Sequence, residues 1–184
     1  MAKRFGTRRL ERAGAIVVRR APGRASQARI TLAHGVRPAA IGRGGIRALK
    51  REGDGATPAG RFPLRQVLYR GDRMPRPRTV LPLRAIRAGD GWCEDPADRN
   101  YNRLVTLSAR STADRLKRDD HLYDLVLVLG HNDRPRVRGL GSAIFVHLAR
   151  PRYAPTAGCI ALSRHDLLML LRQVRRCTEI VVIG

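Results

Sequence analysis

Residues 142–183 read SAIFVHLARPRYAPTAGCIALSRHDLLMLLRQVRRCTEIVVI, and three changes of pattern in that stretch decide the fold class. Ser142–Ala149 is an apolar run of strand length, interrupted only by His147 and closed by Arg150-Pro151, which reads as a buried strand. Ser163-Arg164-His165-Asp166 then forms an S-x-x-D capping box, and Leu167, Leu168, Leu170, Leu171 and Val174 follow at helical spacing. This predicts a helix from about Arg164 to Arg176. Glu179–Ile183 is a short apolar run branched at Cβ, so the chain closes on another strand.

Upstream the same strand signature recurs at Ala15–Arg20, Ala28–His34, Phe62–Tyr69 and Leu122–Gly130. Glycine and proline between Gly35 and Gly60 favour loops and short strands, with room for one helical turn at Gly45–Lys50. Residues 71–103, rich in Gly, Pro, Asp and Arg, read as a long loop bordering the functional site. Many short strands, one capped helix and no βαβ alternation give a β-rich α+β fold on a mainly antiparallel sheet system, with the one clear helix near the C-terminus. A length of 184 residues suits a single domain over 13–184, preceded by a basic flexible arm over 1–12.

The charge is lopsided: 37 Lys plus Arg against 15 Asp plus Glu, a net +22, and only three of the cations are Lys. Such a field draws polyanions, whether nucleic acid, an anionic membrane surface or an anionic wall polymer. Arginine is scattered through every segment, which equally describes an ordinary soluble surface. A nucleic-acid reader needs a motif or stacking platforms; no motif is evident, and four Tyr, three Phe and one Trp are few, so nucleic acid is a poor candidate partner. No run approaches the roughly 20 apolar residues of a membrane span. No conventional signal peptide is visible either, because Ala13–Val18 is too short for its apolar core. Three cysteines, Cys93, Cys159 and Cys177, make an odd number without metal-ligand spacing.

Pro155-Thr156-Ala157-Gly158-Cys159-Ile160 sits in a turn between the strand bearing His147 and the capped helix. A thiol becomes a nucleophile beside a base and backbone donors, and a preceding Gly lets the chain turn while a substrate carbonyl approaches. Cys159 is therefore the candidate nucleophile and His147 its base. The N–H groups around Gly158 and Cys159 are the candidate oxyanion donors, with Thr156 and Ala157 shaping the turn. An inert core cysteine is the plain alternative. His131, at the end of another strand in Gly130-His131-Asn132-Asp133, is the rival base or a substrate contact. Tyr153, Arg150 and Arg152 lie close enough in sequence to touch substrate, and Asp95–Arg103 is either a substrate wall or a solvated loop.

His147 followed by Thr156-x-Gly158-Cys159-Ile160 resembles the signature of the L,D-transpeptidase (YkuD-like) family. A second block agrees: Asp54–Phe62, DGATPAGRF, is similar to the family's T-P-x-G-x-F segment. The chain departs from the pattern at Ala161, where most members carry Arg, so the resemblance is to a divergent branch. Arg150, Arg152 or Arg164 are candidates to replace that guanidinium. The resemblance implies a YkuD-like β-sandwich and a cysteine acyltransferase in which an imidazolium stabilises the Cys159 thiolate. It implies peptidoglycan stem peptides as substrate, with a thioester resolved by an amine of another stem, by an envelope protein's amine, or by water as in an L,D-carboxypeptidase or amidase. It further implies a periplasmic or envelope location. That chemistry requires no cofactor or metal.

Overall fold

The computed structural model describes residues 15–108 and 113–184, so the arm expected over 1–12 lies outside the described residues. In chain order the strands are β1 (Ile16–Arg20), β2 (Gln27–Leu32), β3 (Gly35–Ala40), β4 (Ile46–Arg47), β5 (Thr57–Pro58), β6 (Gly60–Tyr69) and β7 (Leu83–Ala85). There follow β8 (Asp90–Cys93), β9 (Arg103–Thr106), β10 (Asp114–Arg115), β11 (Leu125–Leu129), β12 (Phe145–Leu148), β13 (Ile160–Leu162), helix α1 (Arg164–Gln173) and β14 (Glu179–Ile183). The strands expected from the apolar runs are all present. The helical turn allowed at Gly45–Lys50 is instead the short β4, which pairs in parallel with β5 through Ile46 and Thr57.

Nine strands form one sheet in the order β11-β12-β13-β3-β2-β1-β14-β6-β7, and β11 also pairs with β6. That extra pairing closes the sheet into a barrel-like ring and corrects the expected sandwich. The physical reason lies in the ten residues of β6. Its first part, Gly60–Pro63, pairs with β14, and its later part, from Leu64 to Tyr69, pairs with β11, so one strand joins both ends of the sheet. Closure leaves fewer unpaired edges than two stacked sheets would. Most pairings are antiparallel, but β1–β14, β12–β13 and β6–β7 run parallel.

Helix α1 starts where the capping box predicts, with the Ser163 hydroxyl oxygen accepting the Asp166 N–H at 3.1 Å. It ends at Gln173, short of the expected Arg176, because Val174 turns to an extended conformation and carries its buried side chain into the core. Residues 71–103 are more ordered than a loop: β8 pairs with β9 and β10 in a small three-stranded sheet.

Both faces of the central strands are buried, and the alternation of side chains sorts them into two cores. Leu125, Leu127, Val146, Leu148, Ile160 and Leu162 pack on the side that also takes Leu167, Leu170 and Leu171 of α1. Val126, Val128, Phe145 and Cys159 face the other way, against Leu68, Trp92 and Leu116. His147, two residues beyond Phe145, shares that second face, and its ring meets Tyr123 edge-on at 5.4 Å. The small sheet thus covers the face on which both His147 and Cys159 lie. No helix among the described residues is long and apolar enough to cross a membrane.

Candidate active site

Three segments distant in sequence build the Cys159 turn. Arg43 donates its N–H to Thr156 O (2.9 Å), and Thr156 donates its own to Ile41 O (3.0 Å). Gly44 N–H reaches Gly55 O at 2.9 Å, and Thr57 N–H reaches Gly45 O at 2.8 Å. Backbone lies on backbone here, and a Cβ on Gly42 would stand 2.2 Å from Gly55 O, so only Gly fits. Gly158 has φ +147°, and a Cβ there would meet Ala56 O at 2.9 Å.

Two threonines lock this arrangement. The Thr156 hydroxyl donates to Cys159 O (2.6 Å) and accepts the Gly158 N–H (3.2 Å), holding the turn from within. The Thr57 hydroxyl donates to Gly158 O (2.8 Å) and accepts the Gly42 N–H (2.9 Å), holding it from outside. The two sequence blocks that carry the family resemblance therefore touch through one buried side chain. Nearby, Lys50 Nζ lies 2.6 Å from Asp54 Oδ1. Burial alone would raise the Asp54 carboxyl, but hydrogen bonds from Lys50 and from the Arg51 and Ala56 N–H groups outweigh it and lower the pKa.

A cleft of about 430 Å³ opens over the turn, lined among others by Cys159, His147, Gly158, Thr156, Ala157 and Arg150. The thiol is nearly covered. It donates to Ala143 O (3.1 Å), and Sγ accepts the Phe145 N–H (3.4 Å). Burial pushes its pKa up to about 12; the Phe145 N–H works against this, and the Glu94 and Asp114 carboxylates reinforce it. His147 is held by a hydrogen bond between Nδ1 and Leu148 O at 2.9 Å. A carbonyl can only accept, so Nδ1 carries the proton and the Nε2 lone pair is left for other use. Burial lowers the imidazole pKa to about 4, against the raising effect of the Leu148 carbonyl and with Arg150 and Arg118 adding to the depression. Burial thus favours a neutral thiol and a neutral imidazole over the thiolate–imidazolium pair that the family resemblance implies.

The other expected residues divide. Arg150 lines the cleft, whereas Arg152, Tyr153, Arg164 and His131 do not. Arg152 and Tyr153 are spent on the short 3-10 turn Pro151–Tyr153, where both take positive φ (57° and 53°). His131 lines a different pocket, with Nε2 against Leu140 O (3.0 Å) and its ring edge-on to Phe62 at 5.6 Å. Ala161, at the position of the family's Arg, lies on the cleft lining, and the guanidiniums that reach the cleft belong to Arg43, Arg118 and Arg150.

Sequence reasoning missed several neighbours. Tyr123 packs on His147 and donates its hydroxyl to Asp114 Oδ2 at 3.0 Å, while the Arg118 guanidinium lies 5.2 Å from its ring centre. Glu94 sits at the exposed rim of the cleft, its carboxyl pushed up to about 7 by lost hydration and by the Asp114 and Glu52 carboxylates. Nothing local in the sequence marks Tyr123, just ahead of β11, or Glu94, in the middle segment that packs over the site. Of the Asp95–Arg103 cluster, Tyr101 and Asn102 are buried, with the Tyr101 hydroxyl on Glu52 and the Asn102 amide on four partners.

Against known families, residues 15–183 match YkuD, the L,D-transpeptidase catalytic domain. No curated protein and no solved structure matches the chain.

Proposed function

Because the chain belongs to the YkuD family of L,D-transpeptidase catalytic domains, we propose that it is a cysteine acyltransferase acting on peptidoglycan stem peptides, with Cys159 as nucleophile and His147 as general base. The observation that carries this reading is the tautomer of His147: with Nδ1–H tied to Leu148 O, the basic Nε2 belongs to a histidine that shares one cleft with the only cysteine on its lining. Both groups start neutral, so the proton leaves sulfur for Nε2 as the sulfur attacks, not beforehand. The attacked carbonyl belongs to the amide between the L-centre of a diamino acid and a terminal D-residue. Its C–N bond breaks as the C–S bond forms, and the imidazolium returns the proton to the departing amine. An incoming amine or water then resolves the thioester. The Cys159 N–H and that of Gly158, once released by Thr156, are the donors proposed for the oxyanion.

A cleft bearing both Arg43 and Arg150 and both Glu94 and Asp114 suits a peptide that carries carboxylate and ammonium groups together. Residues 13–184 act as one catalytic unit in this reading, and its place of work is the cell envelope. The deciding experiment incubates the purified protein with peptidoglycan tetrapeptide fragments and reads products by mass spectrometry. Release of a terminal D-residue, as tripeptide or cross-linked dimer, is expected; unchanged tetrapeptide at every pH between 6 and 9 overturns the assignment.

A further inference from the structure

We infer that Asn102 is a positioning residue for Cys159, acting through the backbone of Ala143; the inference rests on the reading of Cys159 as nucleophile. Ala143 has φ +52°, a left-handed conformation that residues with a Cβ avoid unless their surroundings impose it. What imposes it here is one side chain. Asn102 Oδ1 accepts the Ala143 N–H at 3.1 Å across 41 residues of sequence and also accepts Trp92 Nε1–H at 3.0 Å. Its Nδ2 donates to His131 O (3.0 Å) and Asn132 O (2.9 Å). Trp92 Nε1 and the Ala143 N–H can only donate, and the two carbonyls can only accept, so the amide has one orientation and no spare bonding capacity. Asn102 is itself 3% exposed and left-handed, at φ +56°, a conformation asparagine tolerates.

The consequence falls on sulfur. With Ala143 left-handed, its carbonyl faces Cys159 and takes the S–H at 3.1 Å, and the chain enters β12 so that Phe145 N–H meets the same sulfur at 3.4 Å. Relaxing Ala143 to an extended conformation turns that carbonyl away and redirects the strand that ends in His147. Asn102 touches neither sulfur nor imidazole. It fixes the residue that fixes both.

The test is rescue, read as kcat and KM on a peptidoglycan tetrapeptide fragment. Asn102→Ala is expected to lower kcat about 10²-fold with KM nearly unchanged, the scale of a small misplacement of reacting groups. Adding Ala143→Gly makes the left-handed conformation available without a Cβ penalty and is expected to recover about tenfold of that loss. A role confined to tying down the 131–132 turn gains nothing from a glycine at 143, so no recovery overturns the inference, as does an Asn102→Ala enzyme with wild-type kcat. Should Asn102→Ala fail to fold, Trp92→Phe keeps an aromatic side chain, though a smaller one, and removes one donor to the same amide; the part of any loss that Ala143→Gly restores is then separated from the lost packing on Phe145. A several-fold lower kcat, restored by Ala143→Gly, then supports the inference, and an unaltered kcat sinks it. Cys159→Ala is the control: surviving turnover there removes the underlying reading and this inference together, whereas a dead Cys159→Ala with no rescue removes this inference alone.

Discussion

His131 and His147 lie at the ends of two strands of the same ring, each bound through one ring nitrogen to a backbone carbonyl, and each has its pKa lowered chiefly by burial. They differ in which nitrogen is bound. His131 commits Nε2 to Leu140 O and lays its ring against Phe62, outside the main cleft. His147 commits Nδ1 to the carbonyl of its own neighbour, Leu148, and faces the cleft shared with Cys159. Two residues that look alike in sequence are thus separated by a hydrogen bond: the far nitrogen of one is a structural peg and that of the other is a free base. The proposed chemistry depends on that difference, and the largest effects should appear where it is attacked directly.

Cys159→Ala should reduce tetrapeptide turnover by about 10⁴-fold or more, the scale seen when a nucleophile is removed. Circular dichroism and melting temperature should stay close to those of the parent. Cys93→Ala and Cys177→Ala should keep full activity, and full activity in Cys159→Ala would end the nucleophile assignment. His147→Ala should lose about 10²- to 10⁴-fold in kcat, the usual contribution of a general base. His131→Ala should leave kcat within about threefold and instead lose about 1 kcal/mol of stability through its bond to Leu140 O. A reversal, with His131→Ala inactive and His147→Ala active, breaks the comparison.

The pH dependence of stability sharpens the same contrast. His147 titrates at about 4 in the fold, below the 6.5 of an unperturbed imidazole, so the unfolded chain binds its proton first as pH falls. Stability present above pH 6.5 is lost down through pH 4, and the loss from this one group is about 3 kcal/mol. Cys159 lies at about 12 against an ordinary thiol near 8.5–9, so the folded chain keeps its proton longer and stability falls as pH rises above that ordinary value. Urea unfolding across pH 4–10 should show a maximum between about 6.5 and 8.5. Replacing His147 by Ala should flatten the acid limb strongly, and replacing His131 should flatten it less. An acid limb unchanged in His147→Ala would contradict the buried neutral imidazole.

How much of this was legible depends on the range of the interaction responsible. The apolar run Ser142–Ala149 and the box at Ser163–Asp166 are local, and they placed a strand and a helix start correctly. Closure of the ring was not legible, because it depends on β6 dividing its length between β14 and β11, and no pattern within β6 states its partners. Nor was the protonation of the pair. The family resemblance implied a charged couple, whereas burial of both groups, a property of the assembled core, favours the neutral one. Glu94 and Asn102 belong to a segment whose composition reads as loop, and Tyr123 to the start of a strand run; only tertiary packing reveals that Glu94 and Tyr123 line the cleft and that Asn102 is buried behind it.

The smallest predicted effect concerns the clamp that holds Cys159 in the cleft of His147: a threonine hydroxyl, where the His131 turn is held by the Asn102 amide. Thr57 and Gly158 stand 101 residues apart, yet one hydroxyl donates to Gly158 O and accepts Gly42 N–H, all of it buried. Thr57→Val keeps the shape and deletes both bonds, leaving a carbonyl and an N–H buried without partners at a cost of about 2 kcal/mol. Thr57→Ser restores the oxygen and removes one methyl, which should cost about 1 kcal/mol or less. If the clamp also aligns the nucleophile, Thr57→Val should lower kcat about tenfold while Thr57→Ser stays near the parent, a small shift of reacting groups being enough for that. Equal stability of the Val and Ser variants would show that the hydroxyl carries no net stabilisation. Equal kcat with unequal stability would confine Thr57 to holding the fold, leaving the alignment of Cys159 to Thr156 and to the chain entering β12.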